Sequence, residues 1–484
     1  MPDSAATASS EAMRTDLPTA RLNWRGRLPF FYGWLIVAGA VISLGLSYSV
    51  WYSFSVFYVA LLAEFEWSRA ASAGVFSLFV MMTGFAGVGA GALADRFGPG
   101  RVVAAGGVLL AAGLLVSSRL TELWHFYVSY GLLAGAGVGV AGWTPCVTML
   151  NRWFSARLGL ALGLSSGGIG IGILAGVPSV QSIIAGAGWR AAFAVLALLV
   201  LIGLVPTGLL LLRGRPEELG QRKDGARSPL PSERKAEKAD GEKGMEVVDQ
   251  EWASRPWTLG LAMRTSRYWF LCTLKFVGNI AVQMIFVHQV AYLVDGGYDR
   301  MQAASVVGLI GLLSVGGKIL WGWTADNIGR EVTYTMGAAC ILAGIGLLVV
   351  TRMVDFPPLL YLYAIVFALG YAVSAPLWPA ATSDLFAGPR FGSIYGFVGL
   401  FAGLGSALGS WFGGYVFDLT GSYVFAFGVA AGASVLSAAA FWIVAPRKVR
   451  RVRRRGWRGR PVADADVGQM AGSLHPDTRS APDD

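Results

Sequence analysis

Two lysines lie in stretches that are otherwise apolar, and both carry the chemistry needed to hold an anion. Lys318 sits in Gly316-Gly317-Lys318-Ile319-Leu320-Trp321-Gly322, and Lys275 in Cys272-Thr273-Leu274-Lys275-Phe276-Val277-Gly278-Asn279. As part of a helix, Lys318 lies two turns before Asp326, ~12 Å inside the helix end at 1.5 Å per residue. An ionisable group that deep in a membrane faces a cavity or a partner by default. Gly316 and Gly317 leave the surface around it open. The ammonium is a point charge with three donors, suited to a carboxylate but lacking the two-pronged geometry of arginine. Lys275 lies at a similar depth from its own helix end. Two such lysines repel unless an anion or the loss of a proton intervenes, and both aimed at one cavity would suit a dicarboxylate. A register shift of two residues would instead bring Lys275 to the membrane interface, so a snorkelling role stays open for it.

The elements that carry these lysines must be membrane helices. Charged residues make up 14% of the chain and hydrophobic residues 55%, with a mean hydropathy of +0.56, against about a quarter charged in soluble domains. Apolar runs of about 20 residues recur, each long enough to cross ~30 Å of hydrocarbon as a helix. Period-2 alternation is absent, which excludes a barrel and leaves helices as the only way to satisfy the backbone in lipid. Twelve spans are predicted near 32–56, 72–93, 101–118, 123–147, 158–182, 190–212, 268–292, 303–324, 332–351, 359–382, 391–415 and 422–444. The first is too long and too aromatic for a cleaved signal peptide.

The net charge of +10 is unevenly placed. Arg14, Arg21, Arg25 and Arg27, then Arg96, Arg101, Arg152, Arg157, the 213–265 segment, Arg330, Arg390 and the run from Arg447 to Arg460 all fall on one side. The opposite loops are short and nearly balanced. The Lys/Arg excess places both termini in the cytoplasm of an integral protein of the cell (inner or plasma) membrane. The basic run after the last span reads as a stop facing anionic lipid, not as a nucleic-acid patch. Outside the spans the chain divides into a polar N-terminal tail (1–30), a charged cytoplasmic linker (214–265) too polar at its middle to bury, and a basic C-terminal tail (447–484). These flank two bundles, 31–213 and 266–446.

Cys146, Cys272 and Cys340 fall in different spans, so neither a disulfide framework nor a metal site is expected, and no cofactor motif is present. Gly316-Gly317-Lys318 is not a phosphate loop, because the first glycine is missing and Ile319 stands where a hydroxyl should hold magnesium. No catalytic constellation is found, so the protein is expected not to be an enzyme.

The chain repeats itself. Gly91-Ala-Leu-Ala-Asp95-Arg96-Phe-Gly98-Pro-Gly-Arg101 returns as Gly322-Trp-Thr-Ala-Asp326-Asn327-Ile-Gly329-Arg330, an offset of 231. Phe154-Ser-Ala-Arg157-Leu-Gly159 returns as Phe386-Ala-Gly-Pro-Arg390-Phe-Gly392, and Gly188 as Gly421, at offsets of 232 to 233. Span 5 continues as Gly168, Gly172 and Gly176, span 11 as Gly405, Gly409 and Gly413. Glycines four apart share a helix face and allow close backbone approach. Two related six-helix bundles in tandem are the architecture of secondary transporters, in which one half rocks against the other around a central site. One chain supplies both halves, so a monomer suffices.

With its duplicated Gly-x-x-x-Asp loop, the chain resembles the major facilitator superfamily across nearly its whole membrane portion. The resemblance implies an all-α membrane protein of twelve transmembrane helices in two six-helix pseudo-repeat bundles. It also implies that Gly91, Asp95, Arg96, Gly98 and Arg101, with Gly322, Asp326, Gly329 and Arg330, govern conformational switching. An aspartate and an arginine at neighbouring helix ends can pair in one conformation and part in the other. Asn327 replaces the first copy's Arg96, so the second lock is expected to be the weaker.

Phe31-Tyr-Gly-Trp34, Glu64-Phe-Glu-Trp67-Ser-Arg69, Gly188-Trp-Arg190-Ala-Ala-Phe193 and Gly414-Tyr-Val-Phe-Asp418-Leu-Thr-Gly421-Ser-Tyr423 look like the oxalate/formate antiporter and monocarboxylate porter branches. In those families the place of Lys318 is usually an arginine that grips the substrate carboxylate, a departure that bears on selectivity more than on sign. The resemblance sets spans 1, 4, 7 and 10 around the cavity. It thereby nominates Tyr48, Tyr52, Trp143, Asn279, Gln283, Tyr371 and Trp378 beside Lys318 and Lys275, although membrane aromatics also serve as packing or belt residues.

Pro145, Pro376 and Pro379 are placed to bend spans 4 and 10. The half-repeat counterpart of Lys318 is Gly87, so its charge belongs to one half only. No Asp or Glu lies mid-span, and His288, toward the outer end of span 7, reads as an interface residue, with a role in proton transfer as the alternative. Coupling is then left to exchange of anions, to a lysine that gives up its proton when empty, or to uniport. The expected function is alternating-access transport of a small organic anion, a mono- or dicarboxylate. The alternatives are extrusion of amphipathic drug-like compounds and a non-transporting membrane sensor.

Overall fold

The structure, a computed structural model, describes residues 31–452 except 155, 156, 220, 222, 226–244, 355 and 389. The N-terminal tail, the middle of the charged linker and the C-terminal tail beyond 452 lie outside the described residues, as does the Asp95 side chain.

Among the described residues, eleven helical stretches are long and apolar enough to cross a membrane. We number the spans α1 (Gly33–Phe65), α2 (Arg69–Phe97), α3 (Pro99–Ser117), α4 (Leu123–Trp153), α5 and α6 together (Leu158–Leu211), α7 (Ser266–Asp295), α8 (Arg300–Ile328), α9 (Arg330–Val350), α10 (Pro358–Phe386), α11 (Phe391–Thr420) and α12 (Val424–Val444). The long stretch is two spans, since Gly188 at φ 82°, ψ 165° breaks it, and the bundle therefore has twelve helices.

The half-chain repeat is written into the backbone. The α2–α3 and α8–α9 turns pass through Gly98 (φ 86°, ψ 142°) and Gly329 (φ 104°, ψ 159°), a region that side chains beyond glycine essentially do not occupy. α4 is interrupted at Gly142 and α10 at Val373, 231 residues apart. Three residues after each interruption comes a proline, Pro145 or Pro376. Without an N–H, neither can bond to the carbonyl four residues back, and the helix parts there.

The glycine ladders explain how each half holds together. On α5, a Cβ at Gly168 or Gly172 would run into the Val41 or Gly45 carbonyl of α1, and one at Gly176 into Ser49. On α11, a Cβ at Gly405 would strike the Phe276 carbonyl of α7, and one at Gly409 would lie 2.5 Å from that of Ile280. Equivalent helix pairs in the two halves thus pack by the same device, with backbones approaching through missing side chains.

The end of the charged linker is folded. β1 (Met245–Val247) pairs antiparallel with β2 (Arg450–Val452), followed by two short helices, Gln250–Ser254 and Leu259–Met263. Its anchors are aromatic, not charged. Trp252 Nε1 donates to the Leu385 carbonyl at 2.8 Å, and Trp257 lies edge-on to Phe386 at 5.0 Å.

Among the described residues, contacts between the halves gather at one end. Along α2 and α11, Asp418 meets Arg69, and Ser77 Oγ donates to the Ala407 carbonyl at 2.6 Å. Closer to the duplicated loops, a Cβ at Gly84 or Gly403 would meet nothing within 4 Å. Along α5 and α8, Gly308 touches Pro178 and Gly170 touches Gly311, while Gly163 and Gly316 again face open space. The halves form a V, closed at the far end and open at the end bearing the duplicated loops, here the motif end.

Candidate functional site

At the apex of the V, α1, α7 and α10 bring four rings together. Tyr52 and Tyr371 share a hydrogen bond between hydroxyls at 2.9 Å, joining the two halves. Phe286 packs on both, at 4.7 and 5.0 Å between centroids, and Tyr48 stacks on Tyr52 at 6.3 Å. The Lys318 ammonium sits 5.8 Å from the centre of the Tyr371 ring. Among the described residues no hydrogen bond or ion pair reaches it. A cation over a ring gains about 0.5–2 kcal/mol, which leaves its three donors unused.

Helix direction explains where each lysine goes. Side chains on a helix lean toward its N-terminus. α8 starts at the far end, so Lys318 leans deeper, toward the apex. α7 starts at the motif end, so Lys275, at a similar backbone depth, leans the other way. Lys275 is 4% exposed, with its Nζ 4.2 Å from the Tyr395 ring centre and 5.1 Å from that of Trp378. Its carbonyl accepts from Asn279 Nδ2 at 2.8 Å, and Asn279 Oδ1 accepts from Ser406 at 3.4 Å.

The nominated residues therefore sort into two clusters. Lys318, Tyr371, Tyr52 and Tyr48 meet at the apex; Lys275, Trp378 and Asn279 meet nearer the motif end. Gln283 is buried on α7 between the two levels. Trp143, 41% exposed where α4 restarts after Gly142, touches neither cluster through a ring or hydrogen bond. Phe286 and Tyr395 were not anticipated. The sequence signal for Phe286 is spacing, since Lys275, Asn279 and Phe286 fall at helical intervals along one side of α7; Tyr395, on α11, has none.

The far end holds a lock that the balanced loop charges did not announce. Asp418 of α11 accepts from the backbone N–H groups of Arg69 and Ala70 at 2.9 and 2.8 Å, so a carboxylate of one half caps α2 of the other. The Arg69 side chain bonds Asp295 at 2.6 Å and the Tyr423 hydroxyl at 2.8 Å, with its guanidinium over Phe417. His288 belongs to this seam and not to the membrane interface. It is fully buried, its Nε2 2.7 Å from the Ser410 carbonyl and its ring against Tyr58 and Tyr423. Burial was missed because the position lies only two turns from the helix end, and the covering residues come from other spans.

At the motif end, Arg330 bonds Asp326 at 2.7 Å and Asp384 of α10 at 3.2 Å. Asp384 is only 7% exposed. Arg96 and Arg101 are exposed, with the Arg96 guanidinium 5.2 Å from the Phe97 ring. In this state the second copy of the loop, expected to be the weaker lock, holds its arginine in two ion pairs. The second of these carboxylates comes from α10 and not from the loop itself. Gly91 and Gly322 lie one turn earlier on α2 and α8, and Gly322 faces Pro376.

Comparison with known proteins agrees with this architecture. The Major Facilitator Superfamily profile matches residues 40–355 and 317–467. Monocarboxylate transporter 13 of Bos taurus is 30% identical over 420 residues, covering 86% of this chain and 89% of its own length. Monocarboxylate transporter 12 of Rattus norvegicus is 27% identical over 409 residues, covering 82% of each. Among solved structures, the fold is shared with a D-xylose-proton symporter (TM-score 0.66, 15% identity, 86% of this chain and 99% of that one). It is also shared with a bacterial homologue of the lysosomal transporter Spinster in an inward-facing, occupied conformation (TM-score 0.61, 12% identity, 86% and 97%).

Proposed function

The chain belongs to the major facilitator superfamily, and we propose that within it the protein is a secondary transporter of a small organic anion, with a monocarboxylate as its cargo. The relatives named as monocarboxylate transporters span nearly the whole chain and support that cargo. The observation that carries the reading is Lys318, a cation deep in the bundle with no anionic partner among the described residues, at the apex of a cleft open at one end. A carboxylate there supplies the missing acceptors. The Tyr52–Tyr371 pair above it closes the path to the far end.

The Lys/Arg excess of the motif-side loops puts that end in the cytoplasm of the cell membrane, so the described state is inward-facing. An anion entering from the cytoplasm reaches Lys318, the halves close around it, and the contacts of Arg69 and the Tyr52–Tyr371 bond give way to open the far side. Arg330, Asp326 and the first-copy residues Asp95 and Arg96 set the balance between the two states.

Thermal stabilisation by ligand tests this. A ligand at about 100 times its Kd stabilises the native state by about 2.7 kcal/mol. Across a panel of short mono- and dicarboxylates, at least one monocarboxylate raises the melting temperature of the wild type and not of Lys318→Ala. Equal responses in both proteins, or stabilisation only by lipophilic cations, would overturn the reading.

A further inference from the structure

The geometry points to a second anion station, formed by Lys275, Trp378 and Tyr395, which a carboxylate occupies between Lys318 and the motif-end mouth. It rests on the proposal that the cargo is a carboxylate, and extends it from one binding position to two.

The cluster is short of acceptors. The Lys275 side chain is almost wholly buried and contacts the Tyr395 and Trp378 ring faces. Among the described residues no carboxylate, carbonyl or hydroxyl bonds its ammonium. Trp378 Nε1 is buried and makes no hydrogen bond of normal geometry; the polar atom beside it is the Tyr334 hydroxyl, which is turned to Ser437 at 2.7 Å. The ammonium is thus left without an acceptor and the indole N–H beside it poorly satisfied, a state that native structures normally avoid. A carboxylate has two acceptor oxygens and the opposite charge, and it satisfies both.

Position assigns the role. Tyr371 and Trp378 lie on α10, on either side of its interruption at Val373. One bears on Lys318 and the other on Lys275. The opposite lean of the two lysines keeps the stations apart, with the upper at the apex and the lower toward the mouth. Two weaker stations in series let an anion enter and leave without the deep trap that one strong site would make. The aromatic faces hold the Lys275 ammonium when the station is empty.

The test is fluorine NMR on full-length protein containing 5-fluorotryptophan, with the Trp378 resonance identified by its loss in Trp378→Phe. Acetate, pyruvate, L-lactate and succinate are titrated. At least one moves the Trp378 resonance in the wild type, and the same shift persists in Lys318→Gln. In Lys275→Met the affinity read from that shift falls about tenfold or more, the equivalent of one charged hydrogen bond, and Lys275→Arg restores it. The inference is overturned if no carboxylate moves Trp378, if Lys318→Gln abolishes the shift, or if Lys275→Met leaves it intact. Thermal stabilisation on the same samples reports the upper site separately. Stabilised wild type with a silent Trp378 sinks the second station alone, whereas a responding Trp378 without Lys318-dependent stabilisation sinks the transport reading instead.

Discussion

The two halves share a scaffold and differ in chemistry. Gly98 and Gly329 turn the chain at positive φ, Gly142 and Val373 interrupt α4 and α10 before equivalent prolines, and the ladders of α5 and α11 pack on α1 and α7 alike. Yet Lys318 corresponds to Gly87, and Lys275 to Leu44 at the same offset. The far end is asymmetric too. Asp299 caps α8 from within its own half, accepting from Met301 and Gln302. Its counterpart Ser68 also caps α2, through Ala71, but the N–H groups of Arg69 and Ala70 are taken by Asp418 from across the seam. The repeat shares its turns and packing faces, and single-copy charges give this symmetric frame a lone cation at the apex and an ion-pair seam at the far end.

The comparison is broken most severely at the ladders. Gly172→Leu and Gly409→Leu each force a side chain into a facing backbone, and each should cost about 3 kcal/mol or more. Both should lose most folded protein, measured by monodisperse yield and melting temperature; a large loss in only one half would mean the packing is not shared. Next is the lock. Asp418→Asn weakens charge-assisted bonds worth about 1.5–3 kcal/mol and should shift the population toward a far-end-open state by tenfold or more. Spin-label distances between positions 119 and 353 would read this as a longer component. Asp299→Ala should cost about 1 kcal/mol of helix stability and leave that distance distribution unchanged.

Of similar size are the turns. Gly98→Ala and Gly329→Ala should each cost about 1–3 kcal/mol at most, alike in both halves by melting temperature. The smallest effect is that of Arg96. In the described state Arg330→Ala should lower the melting temperature, because it strands buried Asp384, whereas Arg96→Ala, at an exposed position, should change stability by no more than about 0.5 kcal/mol. Equal losses would show that the second loop's ion pairs do not stabilise this state.

Much of this was legible in the sequence because membrane helices announce themselves by length and apolar run, and repeated glycines by their offset. Lys318 was legible because a charge in an apolar run has few explanations. The lock was not, since Arg69 and Asp418 are 349 residues apart and each looks like an ordinary loop charge. His288 was misplaced for a similar reason, as burial at a helix end depends on what other spans cover. The aromatic partners of Lys275 come from α10 and α11, and only the crossing of those helices beside α7 reveals them. The linker's folded end was hidden by its charge, while Trp252 and Trp257 carried the signal.

The most direct test of the central claim is counterflow in proteoliposomes loaded with a monocarboxylate that stabilises the wild type, with labelled substrate outside. The account predicts saturable accumulation by the wild type, a rate lower by about 10–100-fold in Lys318→Gln, consistent with loss of a bond to a charged group, and substantial recovery in Lys318→Arg. Undiminished counterflow in Lys318→Gln would contradict the claim that this lysine holds the cargo.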